Sequence, residues 1–179
     1  MLNKIKLKYY KLIDKRKKSG MNVLEFLVIV LIFMLMFAFF FDSFVILNQH
    51  NVATREANIV TRQISMQGGV GNSEPAGYNR FGQDYETSFK IHQRVKNRLE
   101  GVNVENYKMY IERHGDDPLT AGHTEITTGS SIPIPYQESF EFVLQYEYKW
   151  GVLGQFIPGL DKARTRTINR SGVSELGGA

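Results

Sequence analysis

Sixteen apolar residues follow one another without a break from Phe26 to Phe41. A helix with no polar face cannot sit half in water, so this run argues against the core helix of a soluble protein. At helical rise it covers about 24 Å, and the longer stretch Val23–Leu47 covers about 37 Å. These values bracket a hydrocarbon thickness of about 30 Å, so a transmembrane helix is expected over residues 24–47. Neither Pro nor Gly interrupts it, which favours one continuous helix. Glu25 stands at the head of the run and Asp42 directly after it. A carboxylate in lipid costs a few kcal/mol or more, so Glu25 implies a partner for its charge.

The flanks set the topology. Lys4, Lys6, Lys8, Lys11, Lys15, Arg16, Lys17 and Lys18 precede the span with Asp14 as the only acid, and the first cation after it is Arg55. The positive-inside rule then places the N-terminus in the cytoplasm and the rest of the chain outside, a single pass through the cell membrane. A secretory signal peptide fits less well: the apolar run is long and no small-x-small cleavage site follows it.

A basic leader ending Lys15-Arg16-Lys17-Lys18-Ser19-Gly20, then Met21, three residues, Glu25-Phe26 and a long apolar helix, resembles the class 3 (type IV-like) prepilin signal. It is most similar to the TadE-like pseudopilins of tight-adherence (Flp) pilus systems. The resemblance covers residues 15–68. At the C-terminal end, a strand, a short apolar linker at Gly151–Leu160 and a final Thr/Arg-rich strand resemble the TadE-like layout; residues 70–130 match nothing familiar. The resemblance implies cleavage by a prepilin peptidase between Gly20 and Met21, which makes Glu25 the fifth residue of the mature chain. It implies other pilin-like subunits and an assembly platform as partners, with an extracellular filament as one destination. The ammonium created at Met21 lies about one helical turn from Glu25, so the two can meet within one chain or between staggered neighbours. Such pairing offsets part of the burial cost of both charges and makes Glu25 and Phe26 a register device for assembly.

The net charge of +4 at first suggests nucleic acid or anionic lipid. It resides in the leader: beyond residue 20 there remain 14 basic and 17 acidic residues, a balance of −3. No basic stripe with interleaved aromatics is left, so nucleic acid is not expected as a partner, whereas membrane lipid is. The absence of cysteine rules out disulfides and thiol chemistry. Residues 70–179 can still form one modest core without such staples.

The apolar helix is expected to continue as an amphipathic one over 48–67. Ile46, Ala53, Ala57, Val60 and Ile64 share a face, Asn51, Arg55, Asn58 and Arg62 lie elsewhere, and Gly68-Gly69 ends it. That face can pack on its own domain, on neighbouring subunits, or on both. Gly71–Gly77 reads as a loop. Asp84 is expected to cap a helix reaching Glu100, with Tyr85, Phe89, His92, Val95 and Leu99 on one face and Gly101 closing it; His92 reads as a packed histidine rather than a ligand. Tyr107–Arg113 alternates as a strand does, and His114–Pro118 reads as a turn. Asp116 and Asp117 lack the regular oxygen ligands of a calcium loop. Residues 119–137 are expected as an extended loop with short β pieces. In Ser139–Trp150, Phe140, Phe142, Leu144, Tyr146, Tyr148 and Trp150 share one side, with Val143 the exception on the other, as in a half-buried antiparallel sheet. A last strand over 162–170 would turn Arg164, Arg166 and Arg170 toward Glu141 and Glu147 on the wet side, pairs that set register more than stability.

No catalytic constellation accompanies this framework. Gly68-Gly69-Val70-Gly71 lacks the Lys-Ser/Thr of a phosphate loop, and neither His-Glu-x-x-His nor Gly-x-Ser-x-Gly occurs. Asn169-Arg170-Ser171 matches a glycosylation triplet, a pattern frequent by chance. No metal and no cofactor is expected. The expected fold is α+β and pilin-like: a cleaved leader (1–20), a long N-terminal helix (21–69), and an exported domain (70–179) with one further helix and an antiparallel sheet. The expected role is structural and non-catalytic, a pseudopilin or minor pilin of a pilus, secretion or conjugation-type machine. The alternative is a single-pass extracellular binding protein that is neither processed nor polymerised. A membrane enzyme using Asp116 and Asp117 is a weaker third reading.

Overall fold

A computed structural model of the chain describes residues 2–74, 84–113 and 123–176, with side chains described from Asn22 onward. One helix, α1 (Leu2–Gln67), carries the leader, the apolar run and the amphipathic stretch without interruption. The helix was expected from about Asn22. It begins instead at Leu2, because the lysine-rich leader consists largely of good helix formers and Gly20 alone does not break it. Its 66 residues rise about 99 Å.

Gly68 and Gly69 end α1 as expected. The Gly68 N–H donates to Ile64 O at 3.0 Å, and the two glycines take φ values of +73° and +133°. A Cβ at Gly68 would lie 2.5 Å from Leu176 O, and one at Gly69 2.3 Å from Ile132 O. Left-handed backbone and close approach of two chain segments both demand glycine here. The reversal feeds β1 (Gly69–Val70), which pairs antiparallel with β4 (Ile132–Pro133).

The second helix, α2 (Ser88–Glu100), starts later than expected, and its cap is Thr87 rather than Asp84. The Thr87 hydroxyl accepts the Lys90 N–H at 3.3 Å. The buried face is Ser88, Ile91, Val95 and Leu99. Phe89, placed on that face by the sequence reading, is 56% exposed, since starting the helix at Ser88 fixes the stripe at 88, 91, 95 and 99. Gly101 caps the C-terminus in right-handed conformation; the left-handed turn falls at Asn103, φ 59°, a residue type that tolerates it.

Four antiparallel strands form the sheet, in the order β3 (His123–Glu125), β2 (Tyr107–Arg113), β5 (Ser139–Tyr148), β6 (Arg164–Val173). Met109 stands opposite Leu144, and Ile111 opposite Phe142; Leu144 stands opposite Ile168. These residues, with Phe140 and Tyr146, form one buried cluster with Ala53, Ala57, Val60 and Ile64 of α1 and Ile91, Val95 and Leu99 of α2. The molecule is thus α+β, a pilin-like arrangement in which one sheet face is covered by α1 and α2 and the other is largely polar. Val143, the exception to the alternation, is nonetheless buried on the outer face.

The register corrects one expectation. Directly opposed residues of an antiparallel pair share a face. Arg164, Arg166 and Arg170 stand opposite Tyr148, Tyr146 and Phe142, whereas Glu141 and Glu147 stand opposite Ser171 and Thr165. The arginines therefore lie on the aromatic side, toward α1, because β6 begins at Arg164 and pairs with the end of β5 at Tyr148. Between these strands, α3 (Val152–Phe156) forms a short helix within the Gly151–Leu160 linker. Residues 114–118, with Asp116 and Asp117, and residues 75–77 of the expected loop lie outside the described residues.

Candidate assembly interface

The lower half of α1 is bare. From Asn22 to Phe41 every residue is exposed except Leu35 and Ala38. Among the described residues this is the one helix long and apolar enough to cross a membrane. Glu25 and Phe26 project from that bare section, Phe26 at 64% exposure. Lys15, Arg16, Lys17, Lys18, Gly20 and Met21 lie on the same helical backbone, upstream of the described side chains. The helix sets Met21 one turn before Glu25. It also puts Glu25 about 25 Å below Asp42, so the two carboxylates bound the span rather than sharing a site.

The upper half of α1 docks onto its own domain along a seam of two alternating rows. The apolar row expected from the sequence is present: Ala53, Ala57, Val60 and Ile64 are fully buried, and Asn51, Arg55, Asn58 and Arg62 are exposed. Beside it runs a row that the apolar pattern did not reveal. Asp42, Gln49, Glu56 and Gln63, each seven residues from the next, are all buried. Each reaches a different segment of the domain. Asp42 accepts the Val152 N–H at 3.0 Å and the Leu153 N–H at 2.7 Å, capping α3. Gln49 Nε2 donates to Val102 O at 3.0 Å, covering a carbonyl just beyond α2. Glu56 lies 3.6 Å from Arg94 Nε and 3.8 Å from Arg98 Nε of α2. Gln63 Nε2 donates to Asp84 O at 3.5 Å. The signal that would have found this row is the spacing itself: Ile46, Ala53 and Val60 fill one heptad position, and the polar four fill the other. Of these contacts, those of Asp42 and Gln49 supply partners to backbone groups at helix ends, which the helices themselves leave unpaired.

The same face of β6 follows α1 upward. Arg170 Nε donates to Asn58 Oδ1 at 2.5 Å. His50 Nδ1 lies 3.2 Å from the Tyr146 hydroxyl. Burial, then the Arg166 and Arg170 guanidinium groups, lowers the His50 pKa; burial chiefly raises that of Tyr146. On α2, His92 packs at 5.3 Å from the Tyr107 ring. Burial first and Lys96 second lower the His92 pKa. Burial, then Glu100, pushes the Tyr107 phenol up to about 12. Its hydroxyl donates to His92 O at 3.3 Å. His123 lies 2.6 Å from Glu112 Oε1, on the exposed end of β3. Among the described residues no three His, Asp or Glu side chains gather as a metal ligand set would.

Comparison with family models, curated proteins and solved structures finds no match to this chain.

Proposed function

We propose that this chain is a prepilin-like subunit, a pseudopilin or minor pilin. Processed between Gly20 and Met21, it would assemble through the lower half of α1. The carrying observation is one of order along a single helix. A basic leader, Gly20-Met21, Glu25-Phe26 and an apolar run occupy its first part. Its second part is consumed in packing against its own domain. The bare section therefore has its whole circumference open, apart from Leu35 and Ala38, to lipid before assembly and to sister helices afterwards. An acid at the head of that section has a defined counter-charge once Met21 becomes the N-terminus. The role is structural, with a prepilin peptidase, other pilin-like subunits and an assembly platform as partners. The chain crosses the membrane once with its domain outside and passes from there into a filament.

A plain single-pass anchored binding protein is the second reading, favoured by the unbroken helix through Gly20 and Met21 in the uncut chain. The mass of the mature protein, recovered from cells with an active peptidase, separates the two. A chain beginning at Met21 is the expected result. A chain that keeps Lys15 through Gly20 overturns the prepilin reading and leaves the anchored domain.

A further inference from the structure

Two residues in the apolar section of α1, Leu35 and Ala38, are covered by the protein itself, and they lie on the same face as Asp42. Asp42 holds the start of α3 through the Val152 and Leu153 amides, and α3 packs on α1. Trp150 stacks on Phe39, ring centroids 6.0 Å apart and planes 18° from parallel. Counted down from Asp42, Phe39, Ala38 and Leu35 lie about 5, 6 and 10 Å into the apolar section. The linker between β5 and β6 thus descends beside the helix to a level where a span of about 20 residues starting near Asn22 is already in lipid.

The outward side of that linker is apolar. Leu153 points inward and is buried, while Phe156 is 63% and Ile157 43% exposed. Lys149, Lys162 and Arg164 are exposed on either side of it, against Asp161, whose carboxylate accepts the Gly159 N–H at 3.2 Å. A short apolar projection with a tryptophan at its base and cations at its rim matches the membrane interface, where such segments sink about 5–10 Å.

We infer that the Trp150–Leu160 linker is a second membrane contact. It would be seated in the leaflet at the C-terminal end of the span, with Phe156 and Ile157 among the upper acyl chains and the flanking cations against anionic headgroups. The inference rests on the single-span reading of α1 and not on processing or polymerisation. Its consequence is orientation: one helix leaves a domain free to swivel and tilt, whereas a helix plus an adjacent wedge fixes which face of the sheet looks along the membrane.

Trp150 is the only tryptophan in the chain, so its emission reads the linker directly. The full-length protein is reconstituted in phosphatidylethanolamine–phosphatidylglycerol vesicles containing lipid brominated either near the head or near the end of the acyl chain. The expected result is loss of Trp150 fluorescence with the shallow bromines, a smaller loss with the deep ones, and weak quenching by aqueous acrylamide. Quenching by acrylamide without quenching by either lipid overturns the inference, and so does protection from all three, which would mean a protein surface covers the linker. A Phe33→Trp chain in a Trp150→Phe background is the control for the span. If deep bromines quench this control chain while neither brominated lipid quenches Trp150 of the wild type, the span stands and the linker contact falls; if neither chain is quenched by either lipid, the span itself fails.

Discussion

Asp42 shows how little of a side chain's role follows from its place in the sequence. Beside sixteen apolar residues it looks like the acid that ends a span, yet it is buried and accepts two backbone N–H groups from a helix 110 residues later. A carboxylate at a helix N-terminus stabilises by about 1 kcal/mol through its hydrogen bonds, which offsets some of the cost of holding it at the membrane edge. His50 has the opposite relation to charge. It sits against the Tyr146 hydroxyl with Arg166 and Arg170 on the neighbouring strand, so the fold favours the neutral imidazole. Its folded pKa lies below the unfolded value, and the unfolded chain binds the extra proton first as pH falls. The contribution is therefore fully present above about pH 6.5 and is lost as pH drops through the window below it. His92 acts in the same direction, so a single substitution removes only part of the effect. Unfolding of the wild type and of His50→Gln, followed from pH 7 to pH 5, is expected to show a shallower loss of stability in the variant. Parallel curves would mean that His50 titrates alike in both states.

Among the elements, β6 decides how closely α1 can approach the sheet. Its α1-facing row reads Arg164, Arg166, Ile168, Arg170, Gly172, and the row narrows to nothing where the helix comes closest. A Cβ at Gly172 would lie 2.6 Å from Phe140 Cζ and 2.8 Å from Ser65 Oγ. Phe140 is fully buried and cannot swing away, so Gly172→Ala is expected to destabilise by about 1–3 kcal/mol, the usual cost of overpacking. Gly129→Ala serves as the reference, because no atom lies within 4 Å of its would-be Cβ; a change within about 0.5 kcal/mol is expected there. Equal midpoints for both variants in urea unfolding would show that the helix is not held against β6 at this point. The elements themselves were largely readable beforehand. The β2 bounds, the core side of β5 and the Gly68-Gly69 stop follow from periodicity and from glycine chemistry. What periodicity could not supply was register across strands. The arginines of β6 were expected to meet Glu141 and Glu147, but which residue faces which depends on where β6 begins, and a one-residue slip moves every side chain to the other face. The start of α2 was misplaced for a related reason. Asp84 and Thr87 both suit a cap, and the choice is made by Ser88 and Ile91 reaching the core. The polar heptad row was hidden because patterns are read from apolar residues, while Asp42, Gln49, Glu56 and Gln63 are buried by virtue of partners far along the chain.

Taken together, these features divide the protein into a part that is satisfied and a part that is not. The sheet, α2 and the upper half of α1 meet one another's apolar surface and helix ends. The section from Asn22 to Met34 is exposed along its whole length. Its only ionisable side chain is Glu25, so any charge-based specificity in that section has to come through Glu25. In lipid a lone carboxylate at this depth is a cost, and removing it makes insertion no harder. In the proposed assembly the same carboxylate would face the ammonium of a processed Met21, on its own helix or the next, and removing it would leave that ammonium buried without a counter-charge. The two environments thus predict different outcomes for Glu25→Ala. Membrane insertion, read as the fraction resisting alkaline extraction, is expected to stay at the wild-type level. Assembly, read as the ladder of cross-linked subunits from intact cells, is expected to fall, and Glu25→Asp to recover part of it by restoring the charge on a shorter stem. A ladder unchanged in Glu25→Ala would strip Glu25 of any part in register. A loss of insertion in the same variant would place the carboxylate in topology instead, beside Lys15, Arg16, Lys17 and Lys18.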